Sequence, residues 1–543
     1  TTQRCQDAGL PLFLTHKMVY FCANCRKLFQ LAHFERPANF DIIASMHTLP
    51  HDAPAPRTPR TDSAYRPLYH FTPPRGWIND PNGLVFFQGT WHLFYQWYEP
   101  HCVDGMQWGH AVSTDLLHWR VCAPALAPDP LGQIWSGSAV VDQHDISGLF
   151  GGRPGMVCFF TYWDAGDHRQ CQGMAYSADG CQFTKFAGNP VIPQLRHLPG
   201  HPDDKDFRDP KVFFDAARGR WAMAVAGGKL RIFSSRNLRD WQFESVADDL
   251  VTECPDLFEL PVDGRADERM WVLSGGGRWY MLGSFDGCRF VPATARLPMM
   301  YGPDCYATQT WSDAPGGRRV GISWLFGWNY GCGPGQGTIR NAFPTGPWAG
   351  GCLTVPHEYA LRRTPDGVRL VQQPVPELEA LRTPVLQIHG TTLRPGAPNP
   401  LAAVRGKAFD IELAVELDGA ARLSLAIAAD GACVYEAGCD AARGEIFIDR
   451  TNGGHAHVEA FARRYAAPAR LVPGAPLRLR MLIDHCSLEL FDASGLTPLS
   501  AFILPDPERD GLRLSVTGGT CRILACTVHT MRATDDVFAS PAG

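Results

Sequence analysis

The chain has 543 residues and a mass of 59.8 kDa, long enough for two domains with sizeable cores. Hydrophobic residues make up 45% and charged residues 19%, as in an ordinary globular protein. A net charge of -5 and a pI near 6.4, with no run of Lys or Arg, argue against nucleic acid or an anionic membrane as the main partner. No stretch approaches the ~20 continuous apolar residues of a membrane span.

The N-terminal 45 residues lack the ordered basic, apolar and small-residue regions of a signal peptide. A polar, Pro-rich stretch follows, and we assign residues 1–62 to an extension and flexible arm. Cys22 and Cys25 form one Cys-x-x-Cys pair, half a zinc site at best, so we predict no metal and no other cofactor. The 18 cysteines lack a disulfide-rich spacing, which favours buried free thiols and a cytoplasmic location over secretion.

The first motif, WINDPNG at residues 77–83, holds Asp80 in a rigid backbone frame. Pro81 fixes its own φ and biases Asp80 toward extended backbone, and the next two residues favour tight-turn conformations. Residues 85–98 contain two aromatic, β-prone runs separated by Gln-Gly-Thr, which predicts a hairpin. For the tetrapeptide Asp-Pro-Asn-Gly alone, a simple turn would be the better interpretation.

Two further carboxylates stand in comparable motifs. Asp209 lies in FRDPKV (residues 207–212), before a proline and beside Arg208, and Glu253 lies in TECPDLFEL (residues 252–260). Alone, the first indicates a surface turn with an ion pair, and the second indicates almost nothing. Their position relative to an internal repeat is more informative.

The repeat has the pattern Ser-x-Asp/Asn-Leu/Gly-x-x-Trp/Phe and occurs at residues 113–119, 177–183, 235–241 and 284–290. The copies are roughly 50–65 residues apart, which is the period of a four-stranded propeller blade with loop insertions. Asp80, Asp209 and Glu253 each lie roughly 25–35 residues before a copy, near the first strand of a blade. Because first strands line the central channel of a propeller, we expect the three carboxylates to converge on one axial pocket.

The motifs together resemble the three signature motifs of glycoside hydrolase family 32, the group of invertases, exo-inulinases and levanases, in order and spacing. Further similar segments are FYQ (residues 94–96), QWGH (107–110), WSGSAV (135–140), YATQT (306–310) and SW (323–324). The resemblance implies an all-β protein, with a five-bladed β-propeller at residues 63–375, a linker at 376–405, a C-terminal β-sandwich at 406–532 and a tail at 533–543. Alternating strands and Gly-rich turns suggest the sandwich independently.

The resemblance also implies a reaction, the release of terminal non-reducing β-D-fructofuranosyl residues from sucrose or fructans with retention of configuration. Asp80 would be the nucleophile, Glu253 the acid/base, and Asp209 a group that binds ring hydroxyls and favours the transition state. The retaining mechanism holds the two reacting carboxyls about 5 Å apart. It needs Asp80 ionised while Glu253 carries a proton.

Eight residues match sugar-contacting positions of the family: Asn79, Gln96, Trp108, Trp135, Ser136, Arg208, Tyr306 and Trp324. Several have structural alternatives, as a turn cap for Asn79, blade core for Trp108 and Trp135, and support of a turn at the following glycine for Ser136. For Trp324, core packing and substrate contact are equally supported. His357 stands where relatives commonly have Arg.

Other functions fit less well. A non-catalytic sugar-binding propeller would not need three acids, the serine in WSGSAV lacks the Gly-x-Ser-x-Gly frame of a serine hydrolase, and none of the 19 His lies in His-Glu-x-x-His. A fructosyltransferase of the same family stays open, because acceptor-site loops decide whether water or a sugar attacks. In some relatives the sandwich mediates oligomer contacts, so a homo-oligomer is a further expectation.

Overall fold

β-Strands make up nearly all regular structure in the computed structural model, which describes residues 64–99, 105–194, 206–248, 250, 253–331, 348–469 and 475–534. Within these ranges, helix is confined to α1 (Trp328–Gly331) and two 3-10 turns (Pro315–Gly317 and Pro376–Leu381). None of the described helices is long and apolar enough to cross a membrane. The predictions for residues 1–62, including the Cys22/Cys25 pair, lie outside the described residues, as does most of the predicted tail.

Three four-stranded antiparallel sheets form the first three blades, and the strands of each pair in chain order. The first blade contains β1 (Trp77–Phe87), β2 (Thr90–Tyr98), β3 (Gln107–Ser113) and β4 (Arg120–Val121). The second contains β5 (Gln133–Asp142), β6 (Gly155–Trp163), β7 (Gln170–Ser177) and β8 (Thr184–Lys185). The third contains β9 (Arg208–Asp215), β10 (Arg220–Ala226), β11 (Lys229–Ser235) and β12 (Gln242–Asp248).

The fourth and fifth blades share one sheet, because a single parallel pair, Val262 with Leu361, joins them. The fourth contains β13 (Pro255–Val262), β14 (Arg265–Gly275), β15 (Trp279–Phe285), β16 (Phe290–Pro292) and β17 (Leu297–Pro298). The fifth contains β18 (Tyr306–Thr310), β19 (Val320–Trp324), β20 (His357–Thr364) and β21 (Gly367–Pro374). The first strands touch in the cyclic order β1, β5, β9, β13, β18 and back to β1. The predicted five-bladed propeller is therefore confirmed.

Local sequence explains two features of these blades. The predicted hairpin forms between β1 and β2, where Phe87 pairs with Thr90 across Gln88 and Gly89, both at positive φ (49° and 79°). Each repeat copy forms the turn after a third strand, where its Asp or Asn oxygen accepts backbone N–H bonds from the residues two and three positions later, as Asp115 does at 2.9 Å from each. The repeat thus marks the blades through turn chemistry.

Two packed sheets form the C-terminal β-sandwich, and two long strands pass through both. Its strands are β22 (Arg382–Leu393), β23 (Phe409–Ile427), β24 (Tyr435–Asp440), β25 (Glu445–Asp449), β26 (Arg464–Pro468), β27 (Leu477–Asp484), β28 (Ser487–Asp492), β29 (Leu499–Phe502) and β30 (Leu512–Met531). The first half of β23 pairs with β27 and the second half with β24, while β30 follows β23 along its length. Register shifts near Gly419 let both strands bend between the sheets.

The predicted linker at residues 376–405 differs in the structure. A 3-10 turn occupies Pro376–Leu381, and β22 then pairs with β30, so this interval already belongs to the sandwich. The strand is partnered only by residues more than a hundred positions away, which no local pattern reveals. One hydrophobic cluster continues from the first and fifth blades into the sandwich, so the two domains share a core.

Candidate active site

The three predicted carboxylates converge at one end of the propeller's first strands. Asp80 lies on β1, Asp209 on β9 and Glu253 just before β13, and each is at most 9% exposed. The Sγ atom of Cys254 lies 3.5 Å from Asp80 Oδ2 and 3.6 Å from Asp209 Oδ2. Arg208 Nη2 donates to Glu253 Oε1 at 3.0 Å, and Arg208 Nε lies 3.9 Å from Asp209 Oδ2. The fold therefore gathers all three acids into one buried cluster.

β-Bulges place these side chains. The register between β1 and β2 shifts between Ile78 and Pro81, so the bulge contains Asn79 and Asp80. The register between β9 and β10 shifts between Arg208 and Lys211, so that bulge contains Asp209. On β5 the register jumps from Trp135 to Gly137, leaving Ser136 as the extra residue. Bulges commonly re-aim side chains beside active sites. The turn support that we considered for Ser136 is wrong, because the residue lies in a strand.

Asp80 is held by the Ser136 hydroxyl, which donates to Oδ2 at 2.7 Å. Burial is the main cause, and the charge of Asp209 the next, of a pKa for Asp80 that is raised to about 7. The hydrogen bond from Ser136 opposes this rise because it favours the carboxylate. We expected Asp80 to be the ionised member of the pair; burial and the charge of Asp209 instead favour its protonated form up to neutral pH.

Glu253 accepts two hydrogen bonds from fixed donors, Arg208 on one oxygen and the Tyr306 hydroxyl on the other. Gly276 (φ 56°) makes this possible, since a Cβ there would lie 2.9 Å from the Tyr306 ring. The Gly276 amide also donates to the Glu253 carbonyl at 3.1 Å. The carboxylate is thus oriented from both sides.

Asp209 is held by its backbone as well as by its side chain. Its N–H donates to Thr161 Oγ1 at 3.0 Å, and its Oδ2 accepts the Cys254 N–H at 2.9 Å. Burial raises the pKa of Asp209 to about 6, with Arg208 opposing and Glu253 adding to the rise.

Left-handed backbone occurs at a non-glycine residue in three of the matched motifs. Asp209 (φ 61°), Cys254 (φ 45°) and Ala307 (φ 53°) lie in FRDP, ECPD and YATQT. Such conformations cost of the order of 1–3 kcal/mol each and persist where surrounding structure enforces them. Left-handed residues also occur in turns elsewhere in the propeller, but these three lie in the motifs that build the pocket.

Most predicted sugar-binding residues lie at this cluster. Ser136, Arg208 and Tyr306 contact the carboxylates directly. Among the described residues, Asn79 Oδ1 and Gln96 Nε2 are buried without a hydrogen-bond partner, which hydroxyl groups of a ligand could supply after small side-chain shifts. Trp135 is half-buried and stacks on Trp163, with centroids 5.0 Å apart and planes at 9°.

Two predicted contact residues are fully buried within the propeller. Trp108 is fully buried, packs on Phe94 and Phe160, and donates its indole N–H to the Trp135 carbonyl at 3.0 Å. Trp324 is also fully buried, against Trp77 and other aromatic rings. Packing and a backbone hydrogen bond account for the Trp108 side chain, whereas among the described residues the Trp324 indole N–H is buried without a partner, so a substrate contact there stays a prediction.

Sequence reasoning missed two residues of the site. Cys254 lies inside the ECPD motif, so proximity in sequence could have identified it. Thr161 has no such signal, since it reaches Asp209 only by the pairing of blades. Lys211 Nζ forms a fully buried ion pair with Asp256, at 3.1 Å.

Comparison with known proteins agrees with this geometry. Residues 70–374 match the N-terminal domain of glycosyl hydrolases family 32, and residues 377–530 match the C-terminal domain of that family. The chain belongs to glycoside hydrolase family 32. This family 32 protein is therefore a glycosidase, and the fold expected from the resemblance is confirmed.

Similar proteins include a levanase and an exo-inulinase. The chain is 37% identical over 500 residues to a levanase from Bacillus subtilis (strain 168), covering 87% of this chain and 71% of that protein. It is 33% identical over 532 residues to an extracellular exo-inulinase from Aspergillus niger, covering 87% and 96%. The crystal structure of exo-inulinase from Aspergillus awamori aligns with a TM-score of 0.77 at 29% identity, covering 90% of this chain and all of that one.

Proposed function

We propose that this glycosidase releases terminal non-reducing β-D-fructofuranosyl residues from fructans and sucrose by double displacement, with water as the final acceptor. The observation that carries the proposal is the convergence of Asp80, Asp209 and Glu253, from three blades, on one buried cluster. The relatives named levanase and exo-inulinase support a fructan substrate.

Asp80 is the nucleophile in this proposal. In the free enzyme its charge is disfavoured by burial and by neighbouring acids. The oxocarbenium-like transition state carries positive charge, so the same carboxylate is stabilised more there than in the free enzyme. The Ser136 hydroxyl holds Oδ2, which orients the carboxylate for attack on the anomeric carbon.

Glu253 is the acid/base. It protonates the leaving oxygen in the first step and takes a proton from water in the second. Arg208 and the Tyr306 hydroxyl donate to its two oxygens, so they fix its orientation and stabilise the carboxylate left after proton transfer.

Asp209 holds the fructosyl ring instead of forming a covalent bond. Its backbone and one oxygen are fixed by Thr161 and Cys254, which suits a rigid acceptor for sugar hydroxyls. The unpaired amide atoms of Asn79 and Gln96 are donors and acceptors of the type such hydroxyls require.

A panel of sucrose, raffinose, inulin and levan tests the proposal. Free fructose should appear from the first time points, without intermediate oligosaccharides from the polymers. Growth of longer oligosaccharides from sucrose would show transfer to a sugar acceptor. Product NMR within the first turnovers should show β-fructose first, and α-fructose first would overturn the double displacement.

Association through the sandwich stays a prediction. In the described residues, β22 pairs on one side only, with β30, so its other edge is available to a second chain. Light scattering at several protein concentrations measures the oligomeric state directly.

A further inference from the structure

Buried side chains of the second blade hydrogen-bond to the backbone of the FRDP segment in the third blade. The Phe207 N–H donates to Gln170 Oε1 at 2.7 Å, and the Phe207 carbonyl accepts from Gln172 Nε2 at 2.8 Å. Two positions later, the Asp209 N–H donates to Thr161 Oγ1 at 3.0 Å. No strand pairing among the described residues joins these two sheets, so side chains supply the partners that the backbone groups need.

Gln172 is the centre of this contact. It lies on β7 directly opposite Thr161 on β6, and both side chains are fully buried. Its backbone is fixed as well, since its N–H donates to the Ile192 carbonyl at 2.8 Å and its carbonyl accepts the Val191 N–H at 2.9 Å. Gln170 lies two positions earlier in the strand and therefore on the same face. The amide of Gln172 is thus held against the third blade.

The partners of the Gln172 amide decide which way it points. The Phe207 carbonyl can only accept, so the amide NH2 group faces it, and Oε1 then faces Thr161. The Thr161 hydroxyl donates to that Oε1 at 2.9 Å, so a lone pair of Thr161 Oγ1 is left for the Asp209 N–H. One amide therefore directs both hydrogen bonds, that at Phe207 and, through Thr161, that at Asp209.

We propose that Gln172 is a positioning residue for the glycosidase reaction, which holds Asp209 in its left-handed conformation by directing the hydrogen bonds at Phe207 and Thr161. Asp209 has a φ of 61°, a conformation that a non-glycine residue keeps only where its surroundings enforce it. The hydrogen bonds at Phe207 and at the Asp209 N–H fix the backbone that leads into this residue. A different φ at Asp209 would turn its carboxylate away from the other two acids.

The inference rests on the proposed function, in which Asp209 holds the fructosyl ring in the transition state. A shift of about 1 Å in such a group can lower the rate by on the order of a hundredfold. The amide of Gln172 is bonded to Phe207 and Thr161 and not to the acids themselves, so its effect on the reaction passes through the backbone of Asp209. Its removal should therefore lower kcat by about tenfold to a hundredfold and change KM much less.

Steady-state kinetics on sucrose and inulin test the proposal. Gln172→Met keeps a similar side-chain volume but has no amide to form the two hydrogen bonds. Gln372→Met is the matched control, because Gln372 is also a buried amide but is bonded to His357 and the Met299 carbonyl, away from the FRDP segment. Both variants should melt at a lower temperature than wild type, whereas only Gln172→Met should lose kcat.

A double-mutant cycle with Asp209 separates positioning from a general loosening of the site. If Gln172 acts through Asp209, Gln172→Met should lower kcat/KM in the wild-type background but change it by less than about twofold in Asp209→Asn. An equal loss in both backgrounds would overturn the proposal, as would a folded Gln172→Met enzyme with the kcat of wild type.

Thr161 supplies a second pair of variants if Gln172→Met does not fold. Thr161→Val removes the hydroxyl at nearly constant volume, so kcat should fall as it does in Gln172→Met. Thr161→Ser keeps a hydroxyl and should retain most of the wild-type kcat. Equal kcat values for these two variants would contradict the role assigned to the hydrogen bond at Asp209.

Crystal structures make the test independent of the substrate. In Gln172→Met, the φ of Asp209 should leave the left-handed region or its carboxylate should shift, whereas an unchanged Asp209 would overturn the proposal. If the wild-type enzyme releases no fructose from any substrate of the panel, it is the proposed function that fails. The structural comparison alone then decides the role of Gln172.

Discussion

At the scale of single residues, burial raises the pKa values of Asp80 and Asp209, and hydrogen-bond donors oppose that rise. Ser136 donates to Asp80, the Cys254 amide to Asp209, and Arg208 to Glu253. Like charges in one buried pocket raise the free energy of the fully ionised state, so protons and donors are distributed among them.

Removing any one of the three acids should abolish catalysis without unfolding the protein. We expect Asp80→Asn, Asp209→Asn and Glu253→Gln each to lower turnover of sucrose by about a thousandfold or more, since each removes a separate contribution to one transition state. Asp142→Asn is the matched control, because Asp142 is also fully buried but only accepts backbone N–H groups after β5. Turnover above a tenth of wild type at an unchanged melting temperature would exclude that residue from the mechanism.

The pH profile should report the hydrogen bond between Ser136 and Asp80. The acid limb of kcat/KM follows ionisation of the free enzyme, and we expect it near the Asp80 pKa of about 7. Ser136→Ala removes a donor that favours the carboxylate, so the pKa rises and the limb moves to higher pH by about one unit. Ser136→Thr keeps a hydroxyl and should restore the wild-type limb. If the acid limb of kcat/KM does not move in Ser136→Ala, a group other than Asp80 controls it.

Chemical rescue separates the two reacting carboxyls. Glu253→Ala should keep activity on fructosides whose leaving groups need no proton, and azide should accelerate breakdown of its fructosyl-enzyme. Asp80→Ala should show neither effect, because no covalent intermediate can form at that position. The reverse pattern would show that Glu253 is the nucleophile and Asp80 the acid/base.

At the scale of secondary-structure elements, a buried ion pair joins three first strands. Lys211 on β9 bonds to Asp256 on β13 at 3.1 Å and to the Thr310 carbonyl on β18 at 2.9 Å. Both partners of the ion pair are almost completely buried, so the free energy of either charge depends on the other.

Breaking this pair should destabilise the propeller more than removing both charges. Lys211→Met leaves Asp256 buried without its cation, and we expect a loss of about 3–5 kcal/mol in the free energy of unfolding. The double variant Lys211→Met/Asp256→Asn should recover much of that loss, since the amide oxygen can still accept the Thr310 N–H. Denaturant unfolding of wild type, Lys211→Met, Asp256→Asn and the double variant completes the double-mutant cycle. An equal loss of unfolding free energy in Lys211→Met and in the double variant would contradict the expectation.

The sequence predicted those features that depend on residues close together in the chain. The repeat identified the blades because Asp115 and its counterparts form the same turn after each third strand. The carboxylates were predictable because each lies near the start of a blade. For Trp108 and Trp324 the sequence left core packing and substrate contact open, since burial depends on neighbouring strands. The segment of β22 was predicted to be a linker, because its partner strand β30 lies at the other end of the domain.

At the scale of the whole molecule, buried polar groups join the two domains. Arg450 of the sandwich pairs with Asp304 of the propeller at 2.7 Å, both fully buried. His357 bonds to Glu489 of the sandwich at 3.1 Å, and His70 bonds to the other oxygen at 3.0 Å. His357 thus joins the exit of the propeller to the sandwich.

The interface around His70 should make stability depend on pH. Burial lowers the pKa of His70, but hydrogen bonds to Asp484 and Glu489 outweigh this and raise it from 6.5 to about 10. Because the pKa of His70 is higher in the folded protein, its protonation stabilises the fold fully below pH 6.5. This stabilisation is lost as pH rises toward 10. Burial opposes the ionisation of Asp484 and Glu489, yet the histidines hold both pKa values well below the usual range, so their contribution is lost in acid. The interface is most stable at weakly acidic pH.

His70→Asn isolates this contribution, because the raised pKa values of Asp80 and Asp209, which weaken folding as pH rises from about 4 to 7, act equally in both proteins. The difference in free energy of unfolding between wild type and variant should be largest at about pH 5 to 6.5 and shrink steadily toward pH 10. Denaturant unfolding at closely spaced pH values measures it. A difference that is constant across this range would mean that His70 is neutral in the folded protein and that its hydrogen bonds, rather than its charge, join the domains.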